Sequence, residues 1–349
     1  MTSQSTNPGV AVAVEEFRVA EASRSDLRAC YDITESVYNA DRPDEPIPPF
    51  DAVVKLWSQP TWFPLGRRRF WVARTGDGQI AGFAPAYFPE AENGNVAVLD
   101  LRVDPDLRRR GIGTAMLRSI LPELAREERD LIAGWGLVGD GDGDQWTRSL
   151  GFARVQAALH QRLEIAEADP LRWQVPAPSG YRTERWIGAA PDELVGSFAR
   201  ARSAIVDAPH GDSSFDDPVW TVERVRENEA DSARRGAELR TVVAVSEQDE
   251  SVAALTELEF RPDTPDCGYQ YDTAVLAGHR GHGLGRFIKA EMLRWVLPDH
   301  PAITRVTTST AADNVFMQRV NEQIGFTTVR TVISVEASLS KVQARLSES

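Results

Sequence analysis

Apolar and polar positions along this chain follow one order, and the order occurs twice. An apolar run, Val96-Ala97-Val98-Leu99-Asp100-Leu101-Arg102-Val103, leads into the turn Arg108-Arg109-Arg110-Gly111-Ile112-Gly113. A helical pattern over 114–121, a second apolar strand, a short helix and Gly151-Phe152 follow. The second series begins with Tyr269-Gln270-Tyr271-Asp272-Thr273-Ala274-Val275 and turns at Arg280-Gly281-His282-Gly283-Leu284-Gly285. It continues with a helical pattern over 286–297, a strand over 303–309 and Gly325-Phe326. Gly111 and Gly283 are 172 residues apart, and the two closing glycines 174. Upstream, each series carries a leading strand (17–20; 181–185), a helix (25–40; 191–205) and two more strands (70–74 and 80–84; 239–245 and 252–260). The pattern predicts a duplicated α/β domain, each copy built around a mixed sheet.

The length, 349 residues, agrees with two domains. The expected limits are a flexible end over 1–14, an N-terminal domain over 15–166, a proline-rich linker over 167–180 and a C-terminal domain over 181–349. Hydrophobic residues at 42% and charged residues at 26% exclude a disordered or fibrous chain. No apolar run approaches the roughly 20 residues that span a bilayer, and no signal peptide is read, so a cytoplasmic, membrane-free protein is expected. Cys30 and Cys267 lack metal or disulfide spacing and are expected in cores. The net charge of −13 argues against nucleic acid as a partner. An anionic ligand therefore needs a local cluster of donors.

Each glycine turn supplies one. Glycines after a strand bring backbone close to a ligand, and the helix that follows offers free N–H groups and a positive dipole end. Arg108, Arg109 and Arg110 in one copy, and Arg280, Arg286, Lys289, His279 and His282 in the other, add positive charge. A dinucleotide fingerprint lacks its third glycine, and no Walker lysine follows either turn. Asp140, Asp142 and Asp144 alternate as in a calcium loop, but Gln145 and Gly151 stand where that loop needs Gly and Glu, so no metal is expected and the segment reads as a solvated loop.

Both turns match [Gln/Arg]-x-x-Gly-x-[Gly/Ala], and with the flanking strand, Asn314 and Gly325-Phe326 the chain resembles the GCN5-related N-acetyltransferases. The resemblance spans nearly the whole chain as a tandem pair, similar in layout to mycothiol-synthase-like bacterial acetyltransferases. It implies an acyl-CoA site with acetyl-CoA as donor. The pyrophosphate would lie on the turn amides of Arg280 to Arg286 (Arg280, Gly281, His282, Gly283, Leu284, Gly285, Arg286), or on Arg108, Arg109, Arg110, Gly111, Ile112 and Gly113. The pantetheine arm would pair with the strand near Val275 or Val103, with Asn314 opposite. The acidic stretch 139–144 stands where the first copy's Asn should be and would repel the cofactor, so the second copy is expected to be active and the first a degenerate partner completing an acceptor cleft.

Acylating an amine of pKa ~10 at pH 7 costs about 4 kcal/mol in deprotonation, so a base or a water chain is useful. The family's usual Glu and Tyr positions hold Tyr269 and Asn321 here, and Ala97 and Thr147 in the first copy. Substitutes are Tyr269 or Tyr271 as acid and Glu257, Glu259 or Asp272 as base. Strand alternation puts Tyr269, Tyr271 and Thr273 on one face and Gln270 and Asp272 on the other. Asp272, matched by Asp100, also reads as a structural hydrogen-bond acceptor, and the tyrosines as core residues. The segment 207–212 is a candidate acceptor loop. The expected activity is transfer of an acetyl or short acyl group to a small-molecule amine by a monomer or homodimer. A non-catalytic CoA-binding scaffold, or acylation of a hydroxyl or hydroxylamine or decarboxylation on the same fold, stand as alternatives.

Overall fold

A computed structural model describes residues 10–45, 47–59, 61–62, 65–207 and 209–348. The first series of elements is β1 (Val12–Glu16), α1 (Arg24–Asp41), α2 (Phe50–Trp57), β2 (Thr61–Trp62), β3 (Gly66–Thr75), β4 (Ile80–Phe88), β5 (Val96–Leu99), β6 (Arg102–Val103), α3 (Ile112–Arg126), β7 (Leu131–Val138), α4 (Asp142–Ser149) and β8 (Ala153–Glu164). The second series is β9 (Tyr181–Ile187), α5 (Asp192–Ser203), α6 (Val222–Arg234), β10 (Glu238–Ser246), β11 (Val252–Phe260), β12 (Cys267–Val275), α7 (Leu284–Asp299), β13 (Arg305–Ala311), α8 (Val315–Ile324), β14 (Thr327–Ser338) and α9 (Leu339–Glu348).

The chain divides into two units. One is Met1–Val155, Asp212–Asp216 and Ile333–Ser349; the other is Gln156–Gly211 and Asp217–Val332. Residues 156–166, expected with the N-terminal domain, fall in the second unit, and 333–349, expected with the C-terminal domain, fall in the first. Each unit thus takes a strand segment from the other half of the sequence.

In unit one, Ser23 caps α1 by accepting from the Asp26 amide at 3.1 Å, and the helix buries Cys30, Tyr31 and Ile33. Cys30 and Tyr31 pack with Phe17, Trp57, Phe70 and Phe83 over the β3–β4 hairpin. β1 is an antiparallel partner of β3, Val12 facing Thr75. The leading strand expected at 17–20 lies instead at 12–16, its first three residues inside the stretch 1–14 read as a flexible end; residues 1–9 of that stretch lie outside the described residues. The run of small apolar residues is an edge strand, held by backbone pairing that its weak side chains do not advertise.

Unit two repeats this plan. β9, β10, β11 and β12 pair antiparallel in succession, and β12 then runs parallel to β13. α7 buries Leu284, Phe287, Ile288, Met292, Leu293 and Val296 against β10 and β11, at the i, i+3, i+4 spacing of a core-facing helix. Part of the expected linker is packed: Pro170–Trp173 forms a helical turn, and the buried Trp173 donates from Nε1 to Ile324 O at 2.9 Å.

Two features of β12 position the site. Its parallel pairing with β13 ends at Tyr269 and Thr307, after which the strands part, as β5 and β7 part after Val98 and Ala133. Between the pairs Thr256–Thr273 and Leu258–Gln270, the single residue Glu257 opposes two, Tyr271 and Asp272. That is a β-bulge, and beyond it the strand's side chains change face.

Candidate active site

The turn before α7 is built by two left-handed glycines, Gly281 (φ 84°) and Gly283 (φ 77°), the second being the N-cap of the helix. A Cβ on Gly283 would meet no atom within 4 Å, so the surface above it is open. The first amide to find a carbonyl is Phe287, bonded to Gly283 O at 3.1 Å; those of residues 281–286 have no acceptor among the described residues. These amides converge at a helix N-terminus, where an anion is stabilised.

Side chains expected to add charge there are placed differently. Arg280 donates from Nε to Val275 O at 3.1 Å, closing the end of β12, and Arg286 reaches Arg172 O at 3.4 Å. His282 is exposed, and His279 Nδ1 is 2.9 Å from the Tyr181 hydroxyl. Lys289 is not at the turn: it is 2% exposed and lies inside unit two.

Where β12 and β13 part, a cavity of about 230 Å³ opens. Tyr271, Asp272 and Thr273 line one wall, residues Thr308 to Ala311 the other, with Asn314 and Met317 from the α8 end and Lys289 from α7. Asn314 accepts from Met317 N at 3.1 Å, capping α8, which leaves its amide group beside the cavity. Pro209 and His210 of the candidate acceptor loop also line it; Ala208 lies outside the described residues.

Behind Asp272 sits Glu257. Arg202 of α5 is 3.1 Å from the Glu257 carboxylate and 3.8 Å from that of Asp272, so both acids lie on the α5 side of the sheet. The expectation that Asp272 faces away from Tyr271 is therefore corrected, and so is the placing of Thr273 with the tyrosines. Thr273 meets Thr256 at 2.8 Å, and Thr256 accepts from Gln270 Nε2 at 2.9 Å. The bulge at Tyr271–Asp272 exchanges the two faces. Burial pushes the Glu257 carboxyl up to about 7; Arg202 pulls it back and Asp272 adds to the rise. The Arg202–Glu257 contact is close yet poorly aligned: Glu257 Oε2 and Arg202 Nε and Nη1 are buried with no hydrogen-bond partner among the described residues. Such atoms await a polar partner.

The tyrosines are engaged elsewhere. Tyr269 donates to Thr264 Oγ1 at 3.0 Å, and burial pushes its hydroxyl up to about 12. Tyr271 donates to Glu259 at 3.0 Å while accepting from Arg261 at 2.5 Å, and burial raises it too. Glu259 pairs with Arg235 and Arg261, which outweigh its burial and hold it below the ordinary range. Asn321, where the family's tyrosine would stand, is buried and donates to Gln161 at 2.7 Å and Thr310 at 3.0 Å.

Unit one has its own turn, with Gly111 (φ 82°) as N-cap of α3 and Arg109 left-handed at φ 63°. The first paired amide is Ala115, bonded to Gly111 O at 2.9 Å. A groove of about 470 Å³ runs past Val103, Arg108, Arg109 and residues 111–114, and a Cβ on Gly113 would touch Trp146 at 3.4 Å. Arg108 is bonded to Asp41 at 2.7 and 2.8 Å and is 3.4 Å from Asp142. Arg110 lends its carbonyl to Val10 N at 3.2 Å. The acidic stretch keeps Asp140 and Asp142 exposed, as a solvated loop would, but it is not a loop throughout and Asp144 is buried. It begins α4, and Asp144, fully buried, is bonded to Arg154, which also holds Asp140 at 2.6 Å. Those ion pairs answer the expected repulsion of a cofactor.

Two glycine turns, each between a strand and a helix beside parting parallel strands, define an acyltransferase fold used twice. The family model of the acetyltransferase (GNAT) family matches residues 28–135 and 205–326, and the chain belongs to that family of transferases. The mycothiol acetyltransferase of Mycobacterium avium (strain 104) is 27% identical over 238 residues, 66% of this chain and 70% of that protein. Among solved structures, a tandem GNAT protein from the clavulanic acid biosynthesis pathway superposes with a TM-score of 0.76 at 24% identity, covering 94% of this chain and 99% of that one. A GCN5-related N-acetyltransferase from Sphaerobacter thermophilus does so at 0.71 and 14% identity, covering 94% and 96%. Among the described residues no helix is long and apolar enough to cross a membrane.

Proposed function

We propose that the protein is an acyl-CoA-dependent N-acyltransferase acting on an amine of a small molecule, with unit two carrying the reaction. The observation that carries this reading is that one helix, α7, has the open amides of residues 281–286 at its start and lends Lys289 to the cavity between β12 and β13, which Asp272 lines with Glu257 behind it. The turn fits a pyrophosphate: its donors are free, and no side chain stands above Gly283. The bound thioester supplies an activated acyl carbon. Asn314 and the edge of β12 past Tyr269, where β13 no longer pairs with it, orient the arm.

Glu257 takes the proton from the acceptor's ammonium. With its carboxyl at about 7, it is substantially ionised at neutral pH yet basic enough to accept a proton. It lies behind the cavity wall, so the proton reaches it through Asp272 or a water beside Arg202. Tyr269, at about 12, donates poorly to a thiolate whose own pKa is about 8.5. Tyr271 lines the cavity, but its hydroxyl is bonded to Glu259 and Arg261 and is raised by burial as well, so neither tyrosine is assigned as the acid and the leaving thiolate takes its proton from solvent. Unit two is preferred for two further reasons. Its turn has glycine at both left-handed positions where unit one has Arg109 at the first, and Pro85 stands in unit one where unit two has Glu257.

The test is release of CoA thiol over a panel of small amines with wild type, Gly283→Glu and Gly111→Glu. Thiol release that survives Gly111→Glu and is lost in Gly283→Glu supports the reading. CoA binding with no release for any acceptor would instead support a binding protein.

A further inference from the structure

Lys289 is unusual among the buried groups of unit two. It sits on α7 between Ile288 and Ala290, all three buried, and it lines the cavity. Its ammonium has no hydrogen-bond or ion-pair partner among the described residues; the nearest recorded contact is the Phe326 ring, 5.1 Å away. Burial alone pulls it down to about 7. An unpaired buried amine costs several kcal/mol unless a ligand satisfies it. Its neighbours along the cavity include the hydroxyls of Thr308 and Thr310 and the amide of Asn314.

The position of Lys289 in the sheet says which ligand. Leu258 packs with Phe287 and Ile288 on the α7 side, whereas Glu257 turns to Arg202 on the α5 side. A cavity lined by both Lys289 and Asp272 therefore passes through the gap between β12 and β13 and carries opposite charges at its two faces. Asp272, Asp217 and His210 are the other ionisable groups along it besides Tyr271. The acids make an amine welcome on the α5 face. Lys289 belongs to the face of α7, whose N-terminal amides hold the donor in the reading above.

We infer that Lys289 binds a carboxylate at the far end of the transferred acyl group, so that the donors are CoA thioesters of dicarboxylic acids, such as malonyl-, succinyl- or glutaryl-CoA. This rests on the assignment of the donor to unit two. A carboxylate restores the missing partner of the amine and keeps it protonated. A neutral lysine facing a thioester would itself be acylated; an ammonium paired with a carboxylate has no lone pair with which to attack. Acetyl-CoA leaves the amine unpaired and is the poorer donor.

The experiment is calorimetric titration of the full chain with free CoA, acetyl-CoA and succinyl-CoA, in buffers of different ionisation enthalpy at pH 8. Succinyl-CoA is expected to bind at least about tenfold tighter than acetyl-CoA, with uptake of close to one proton that acetyl-CoA does not cause. Lys289→Met should abolish both the preference and the uptake, and Lys289→Arg should keep part of the preference. Equal affinities with no extra proton uptake in wild type overturn the inference even if the variants do not fold. Failure of every CoA species to bind overturns the donor reading itself, a different result. A carboxylate preference found only among acceptors, with matched amines bearing or lacking an acid, overturns the donor assignment and moves the carboxylate to the acceptor.

Discussion

Replacing Lys289 by Met should stabilise the protein, and by an amount that depends on pH in a defined direction. Methionine has nearly the same length and flexibility and no charge to desolvate, and its neighbours Ile288, Leu293 and Phe326 are apolar. In the folded protein the ammonium titrates near 7, against an ordinary value of 10.5. Between those values the unfolded chain binds a proton that the folded chain does not, so wild-type stability rises with pH across that window. At 1.36 kcal/mol per unit, the amine costs the fold about 4 kcal/mol at pH 7 and only about 1 kcal/mol at pH 10. Lys289→Met removes that cost. Urea unfolding of both proteins at pH 7 and pH 10, without CoA, should show a gain of a few kcal/mol at the lower pH that shrinks toward zero at the higher one. Other groups that titrate near pH 10 are common to both proteins and cancel in the difference. A gain that is the same at both values, or that grows with pH, would refute the account of Lys289 as a buried, unpaired amine.

Glu257→Gln should lower kcat/KM by about 10²- to 10⁴-fold and flatten its rise with pH through about 7, because the base must be ionised to act; a full pH profile with one active amine checks this, and an unchanged inflection excludes Glu257. Gly283→Glu puts a carboxylate and a Cβ where φ is 77° among the open amides, and should weaken CoA binding by more than about 100-fold by calorimetry. Asn321→Leu removes the bonds to Gln161 and Thr310 and should cost about 1 to 3 kcal/mol in unfolding free energy while leaving the affinity for CoA unchanged. A large loss of CoA affinity with normal stability would give Asn321 a role at the ligand.

The duplication and both turns were legible because they depend on local chemistry: a glycine at a left-handed position, a helix start and an apolar period. What depends on pairing between distant residues was not. Ile333 to Ser349 reads as the natural close of the second copy, yet it belongs to unit one, where the Leu339 amide bonds Asp130 O at 2.7 Å and Arg118 reaches Leu346 O at 2.9 Å. Nothing local in the sequence signals those partners. The acidic stretch misled for a similar reason. Asp140, Asp142 and Asp144 look like three free charges until Arg154 and Arg108 fold onto them, and Arg108 is distant in sequence.

The two errors at the site itself have a common source, the use of an ideal period where the chain departs from it. Alternation along β12 separates Tyr271 from Asp272, but the bulge opposite Glu257 adds a residue, and Asp272 turns to Arg202. The sequence there has no glycine to announce it. Along α7, a lysine after Phe287-Ile288 reads as the first residue of a solvated face, and so as a phosphate partner. Phe287, Ile288, Lys289 and Ala290 are all buried, more of the helix than one stripe can cover, because α7 is enclosed on more than one side. A bulge that gathers the acids at one face of the splay, and a helix enclosed so far that its lysine meets the cavity from the other, are both costs to the fold. A chain selected for stability alone would have placed a hydrophobic residue at 289 and a regular strand at 271–272. That both departures border the same 230 Å³ is the strongest structural argument that the cavity is where this protein does its chemistry.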